Sequence, residues 1–173
     1  MMMTPKQTEL ASKLEQAFAL YGFAQPNVAK LKDYIGTTLK TLYKYFPSKE
    51  DMIIGALNYR HSRYISFLET GCPPSRNEAL KHIFERLSLW LNTYAPRGCM
   101  SLQALASYPG NQEIETAVNE HKHDVLLWLN QKLKDEALAQ TAFLLHEGMS
   151  SAWPVLGEDA LSAATAAVDT LLD

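Results

Sequence analysis

Cysteine is scarce: Cys72 and Cys99 are the only two in 173 residues. Two cannot make a disulfide framework, and they read as ordinary thiols of a reducing compartment. Long hydrophobic runs are missing too. No stretch approaches the roughly 20 apolar residues of a membrane span. Met1-Met2-Met3-Thr4-Pro5-Lys6 lacks the apolar core of a signal peptide. The expectation is a cytoplasmic protein without a membrane partner. There is no period-2 run long enough for a strand, no repeat and no low-complexity segment. Nor is there a glycine-rich phosphate loop, a nucleophile elbow or a Cys/His zinc spacing. His121-x-His123 with His146-Glu147 comes nearest to a metal site, but residues two apart on a helix do not face each other. The chain is therefore expected to be no enzyme and to carry neither metal nor cofactor. With 47% apolar and 20% charged residues, it is neither disordered nor collagen-like.

What is present is helical signal from end to end. Thr4-Pro5 with Gln7 starts a first helix by a capping box, followed by the stripe Leu10, Leu14, Ala17, Phe18, Tyr21. Ser48 opens a long helix to about Glu69 with Met52, Ala56, Leu57, Tyr64, Phe67 and Leu68 inward. Gly71-Cys72-Pro73-Pro74-Ser75 breaks it. Ser75 and Glu78 are expected to cap the next helix, which ends at Pro96. A short helix to Tyr108, one from Asn111 to about Lys134, one from Glu136 to Trp153 stopped by Pro154, and one from Asp159 to Leu172 complete the chain. This predicts an all-α protein of about nine helices.

Residues 22–51, GFAQPNVAKLKDYIGTTLKTLYKYFPSKED, carry the most information. Asn27 can cap a helix with the stripe Val28, Leu31, Ile35. Gly36 can end it, since glycine enters the left-handed region without steric cost. Thr37 or Thr38 can cap the next helix, with apolar positions Leu42, Tyr43 and Phe46, and Pro47 stops it. Ser48 and Asp51 form a capping box for the helix after that. Two short helices about a glycine turn make a helix-turn-helix, whose second helix can enter a major groove.

At these residues the chain resembles the DNA-binding domain of the TetR (tetracycline repressor) family. The carriers are Gly22-Phe23, Gly36, Thr41-Leu42-Tyr43-Lys44-Tyr45-Phe46 and Pro47-Ser48-Lys49-Glu50-Asp51. Lys32 stands where the family usually has a small residue, Thr37 where valine is common and Lys40 where glycine is common. The resemblance implies a DNA-binding domain over residues 1–50. It also implies a ligand-binding and dimerisation domain over 51–173, with a linker helix at 51–70. The function implied is a ligand-responsive regulator, a repressor, binding a palindromic double-stranded operator as a homodimer. An alternative is a dimeric helical interaction module of the same fold that does not bind DNA, with Lys32 as its main motive.

The charge distribution suits the first reading. The net charge is −3, but residues 1–50 carry seven lysines against four acids, and the remainder nine basic against fifteen acidic residues. A basic N-terminal unit suits phosphate contact by one face. On the recognition helix, Leu42 and Tyr45 face inward by spacing, which leaves Thr38, Leu39, Lys40, Tyr43 and Lys44 on the outer face or its edge. Thr38 and Lys40 suit base edges, and Leu39 suits a thymine methyl. By resemblance, Tyr43 and Lys49 hold phosphates.

Candidate ligand-pocket residues are Trp90, Tyr94, Met100, Gln103, His121, Trp128, Phe143, His146 and Met149, an apolar set with a few polar groups. The small-molecule effector is expected to be mostly apolar. Its contacts are expected to reach the linker helix over residues 59–64. For the homodimer, the last two helices supply Leu138, Leu145 and Met149 with Leu161, Ala164, Val168 and Leu172 at helical spacing, for a four-helix interface.

Overall fold

The computed structural model describes residues 3–172, apart from the side chain of Leu172. Among the described residues there are nine α-helices and no strand. They are α1 (Pro5–Tyr21), α2 (Val28–Ile35), α3 (Leu39–Tyr45), α4 (Lys49–Glu69), α5 (Arg76–Tyr94), α6 (Met100–Ser107), α7 (Gln112–Leu133), α8 (Glu136–Leu156) and α9 (Asp159–Leu172).

The helix ends follow local chemistry. Thr4 and Gln7 form the capping box of α1, with Pro5 in its first turn. Asn27 accepts from the Lys30 amide, and Asp135 from the Leu138 amide. Asn111 accepts from the Ile114 amide at 3.0 Å. Two ends differ from expectation. Ser75 precedes α5 but makes no side-chain cap bond. Pro154 does not stop α8, which runs on to Leu156 and ends where Gly157 donates to the Trp153 carbonyl. A proline near a helix end removes one hydrogen bond, here to the Ser150 carbonyl, and one lost bond is not enough to end the helix there. Gly98, at φ 85°, packs against that place, and a Cβ on it would lie 3.1 Å from the Ser150 carbonyl oxygen.

The chain forms two compact units. The first joins the chain up to Arg63 with Met100–His121, and the second joins Tyr64–Cys99 with the chain from Lys122 onward. These units follow packing, whereas the division at residue 50 is one by proposed role. The core of the first unit, built on Leu10, Leu14, Phe18, Leu31, Leu42 and Leu57, also takes in Met100, Ala104, Ile114 and Val118. The core of the second unit gathers Leu80, Phe84, Trp90, Trp128, Met149 and Trp153. Long helices carry an apolar stripe along their whole length, so α4 and α7 each serve both units.

Candidate nucleic-acid interface

The helix-turn-helix lies in the first unit. Gly36 takes φ 69°, ψ 45°, the left-handed conformation that turns the chain between α2 and α3. Thr38 caps α3 by accepting from the Thr41 amide at 3.1 Å. Leu42 is fully buried and pins α3 to the core, while Phe46 closes the end of the helix. Phe46 needs Gly55 opposite it on α4: a Cβ there would lie 2.3 Å from the ring.

The face left outside is the one expected. Thr38, Leu39, Lys40, Tyr43 and Lys44 are all exposed, and Tyr45 is half-buried. Leu39 and Tyr43 are large apolar side chains left 42% and 46% exposed, so neither serves the core. Lys32 does not disturb the packing of α2: its ammonium reaches out to Asp33 Oδ1 at 2.5 Å. Lys49 is less free. Its Nζ donates to the Ala24 carbonyl at 3.2 Å and lies 5.7 Å from the centre of the Tyr108 ring. Ser48 and Asp51 form the capping box beneath it, with amide-to-side-chain distances of 2.9 and 3.0 Å.

Sequence reasoning missed the buried ion pairs of this unit. Glu15 on α1 is 4% exposed, and its carboxylate accepts from Arg60 at 2.6 Å and Arg63 at 3.0 Å, both on α4. Position 15 follows Leu14 on the apolar stripe, and that neighbourhood was the only signal of its burial.

The candidate pocket residues divide between the two units. Met100, Gln103 and His121 fall in the first. Met100 is buried in its core, and His121 bonds Asn58 Oδ1 at 2.7 Å and stacks on His61. Trp90, Tyr94, Trp128, Phe143, His146 and Met149 fall in the second. There a polar chain crosses an otherwise apolar core. The Tyr64 hydroxyl meets His146 Nε2 at 2.5 Å, and His146 Nδ1 meets Glu147 Oε1 at 3.1 Å. Glu147 pairs with Lys122, whose ammonium also lies 3.6 Å from the Cys99 thiol. Burial alone would raise the Glu147 pKa, but the His146 imidazole and the Lys122 ammonium outweigh it and hold the carboxyl at about 2. Trp128 donates its indole N–H to Glu69 at 2.7 Å.

Three of the candidate dimer residues are buried. Met149, Ala164 and Val168 belong to the core of the second unit, with Val168 1% exposed. Leu138, Leu145 and Leu161 are half-buried against that core. Leu172 lies outside the described side chains. The outward face of α8 is a different one: Leu144, Gly148, Ser151 and Val155, at i, i+4, i+7 and i+11, with Leu144 71% and Val155 86% exposed. The helical periodicity had picked out an apolar stripe correctly but could not tell which of two apolar faces turns inward.

Among the described residues no group of three or more His, Cys, Asp or Glu side chains is placed to hold a metal, and no helix is long and apolar enough to cross a membrane.

No protein-family model and no curated protein matches the chain. Solved structures do. A TetR-family transcriptional regulator from Streptomyces coelicolor superposes with a TM-score of 0.84 at 19% identity, over 96% of this chain and 94% of that one. The fatty acid degradation regulator FadR of Bacillus halodurans gives 0.73 at 21%, over 99% and 96%. The reduced form of NemR from E. coli gives 0.74 at 20%, over 96% of each chain. The chain has the TetR-family fold. The nine helices run through that fold from end to end, and the helix-turn-helix of α2 and α3 stands where the resemblance of residues 22–51 had placed it.

Proposed function

We propose that this protein is a ligand-responsive transcriptional regulator, a repressor, that binds palindromic operator DNA as a homodimer. The observation that carries the reading is the exposed face of α3. A buried Leu42 anchors the helix, and Thr38, Leu39, Lys40, Tyr43 and Lys44 are left in solvent, the first three at the end that can enter a groove. The excess of lysine over acid in residues 1–50 supports it. The TetR-family fold adds a regulator rather than an enzyme.

The dimer would form on the uncharged outward stripe of α8, around Leu144, Gly148 and Val155, together with Ala163 and Ala166 of α9. Small residues there let two helices approach closely. The effector would be a mostly apolar small molecule held in the second unit among Trp90, Trp128, Phe143, His146 and Met149. His146 and Tyr64 would be the polar pair that orients it. An effector that prefers a conformer with wrongly spaced recognition helices lowers DNA affinity by its differential binding energy.

Fluorescence anisotropy with mixed-sequence DNA fragments at low salt tests the reading. Salt-sensitive binding in the micromolar range or tighter is expected. Absence of binding would return the interaction module without DNA affinity as the better account. For the effector, tryptophan fluorescence should report binding, and DNA should weaken it by the factor by which the effector weakens DNA binding.

A further inference from the structure

Lys49 is the residue of the α4 start that the DNA-binding reading aims at a phosphate, yet its ammonium is engaged within the protein. It donates to the Ala24 carbonyl at 3.2 Å, in the turn between α1 and α2. On its other side lies the ring of Tyr108, 5.7 Å from Nζ to centroid, within the range of a cation–π contact. The Tyr108 hydroxyl in turn points at the Phe23 carbonyl of the same turn, at a long 3.5 Å. Tyr108 closes α6, its amide bonding back to the Ala104 carbonyl at 3.1 Å, and belongs to the first unit although it lies far from the helix-turn-helix in sequence. Three groups thus meet at one turn: a backbone carbonyl, an aromatic face and the ammonium of a lysine that has business elsewhere.

We propose that Tyr108 is a positioning residue that holds Lys49 in a parked state, and that release of this contact raises DNA affinity. The proposal rests on the DNA-binding reading above. The ammonium has three donors and spends one on the Ala24 carbonyl, so movement toward a phosphate oxygen lengthens the carbonyl and ring contacts, and DNA binding works against them. Each is weak alone. A neutral carbonyl acceptor and a partly exposed ring hold a cation less firmly than a phosphate does, so the exchange favours DNA when DNA is near. The cost of release lowers affinity for every sequence equally, because a phosphate contact carries no sequence information. Tyr108 sits at the end of α6, so any shift of α6 changes that cost without touching α3. DNA affinity would then be adjustable through a residue outside the helix-turn-helix.

The test measures binding of one DNA fragment across a salt series for the wild type, Tyr108→Leu, Lys49→Ala and the double variant. Leucine keeps apolar bulk at the half-buried position 108 and removes both the π-face and the hydroxyl. Tyr108→Leu should bind about two- to fivefold tighter, the range of a partly exposed cation–π contact, with an unchanged salt slope. Lys49→Ala should reduce the slope by about one phosphate contact, and in its presence Tyr108→Leu should have no further effect. Thermal unfolding of each variant shows whether it is folded. Tyr108→Phe, which keeps the ring, gives a second measurement if leucine unfolds the protein: it should lie within twofold of wild type. Equal or weaker binding by Tyr108→Leu, or the same effect with and without Lys49, overturns the parked state while leaving DNA binding in place. Failure of the wild type to bind any DNA overturns both.

Discussion

At the scale of residues, the proposed reading of bases would fall to few side chains. Lys40 is exposed on the outer face of α3 near its start, where a side chain can reach guanine O6 and N7. Lys40→Ala should relax base preference at one position in each half-site, by about 1–3 kcal/mol for a bidentate contact. A binding-site selection with the variant checks this. An unchanged preference at every position would move base readout off Lys40. Glu147 sets a different dependence. Its carboxyl is held at about 2, below the 4.5 of an unperturbed glutamate. The ionised form is therefore favoured by folding. Its contribution is present in full above pH 4.5 and is lost as the pH falls from there toward 2. At about 1.4 kcal/mol per pKa unit, the contribution is at most about 3–4 kcal/mol. Glu147→Gln should lower stability at neutral pH and flatten its fall over that acid range, read by denaturant unfolding at a series of pH values.

At the scale of elements, the most informative position is Gly55. A methyl group there would lie 2.3 Å from the Phe46 ring, and that ring closes the recognition helix. Gly55→Ala should cost about 1–3 kcal/mol by overpacking and should weaken DNA binding as well, because α3 must shift to relieve the clash. Calorimetry beside anisotropy separates the two effects. Gly55 was not singled out in the sequence, because a glycine inside a helical pattern announces a close approach but not its partner. The caps were legible, since Thr4, Asn27, Thr38, Ser48 and Asn111 each act through a bond to an amide two or three residues on. Ser75 and Pro154 were misread for one reason: whether a cap bond forms, or a proline ends a helix, depends on packing that local sequence does not contain. The end of α7 had no glycine to mark it. Lys134 takes φ 53° there, in the left-handed region that a non-glycine residue adopts uncommonly.

At the scale of the molecule, the helix-turn-helix, the all-α class and the helix count could be read from pattern alone, because caps and stripes are local. The two compact units could not. Met100, Ala104, Ile114 and Val118 join the N-terminal core from far along the chain, and nothing in an apolar stripe names the core it serves. Nor does an apolar stripe say which side of α8 turns outward, where Leu144 and Val155 lie. Leu144→Glu with Val155→Glu, on the outward side of α8, should yield a folded monomer by sedimentation. Val168→Glu, buried at 1% exposure, should instead unfold the subunit. A double variant that still sedimented as a dimer would place the partner surface elsewhere.

The central claim is that α3 reads DNA from a symmetric dimer. The most direct test is selection of bound sites from random double-stranded DNA at low salt. The account predicts an inverted repeat whose half-sites lie about one helical turn apart or a multiple of it, roughly 34–36 Å per turn, with retention lost steeply as salt rises. Enrichment of no sequence, or of a single asymmetric site, would contradict it.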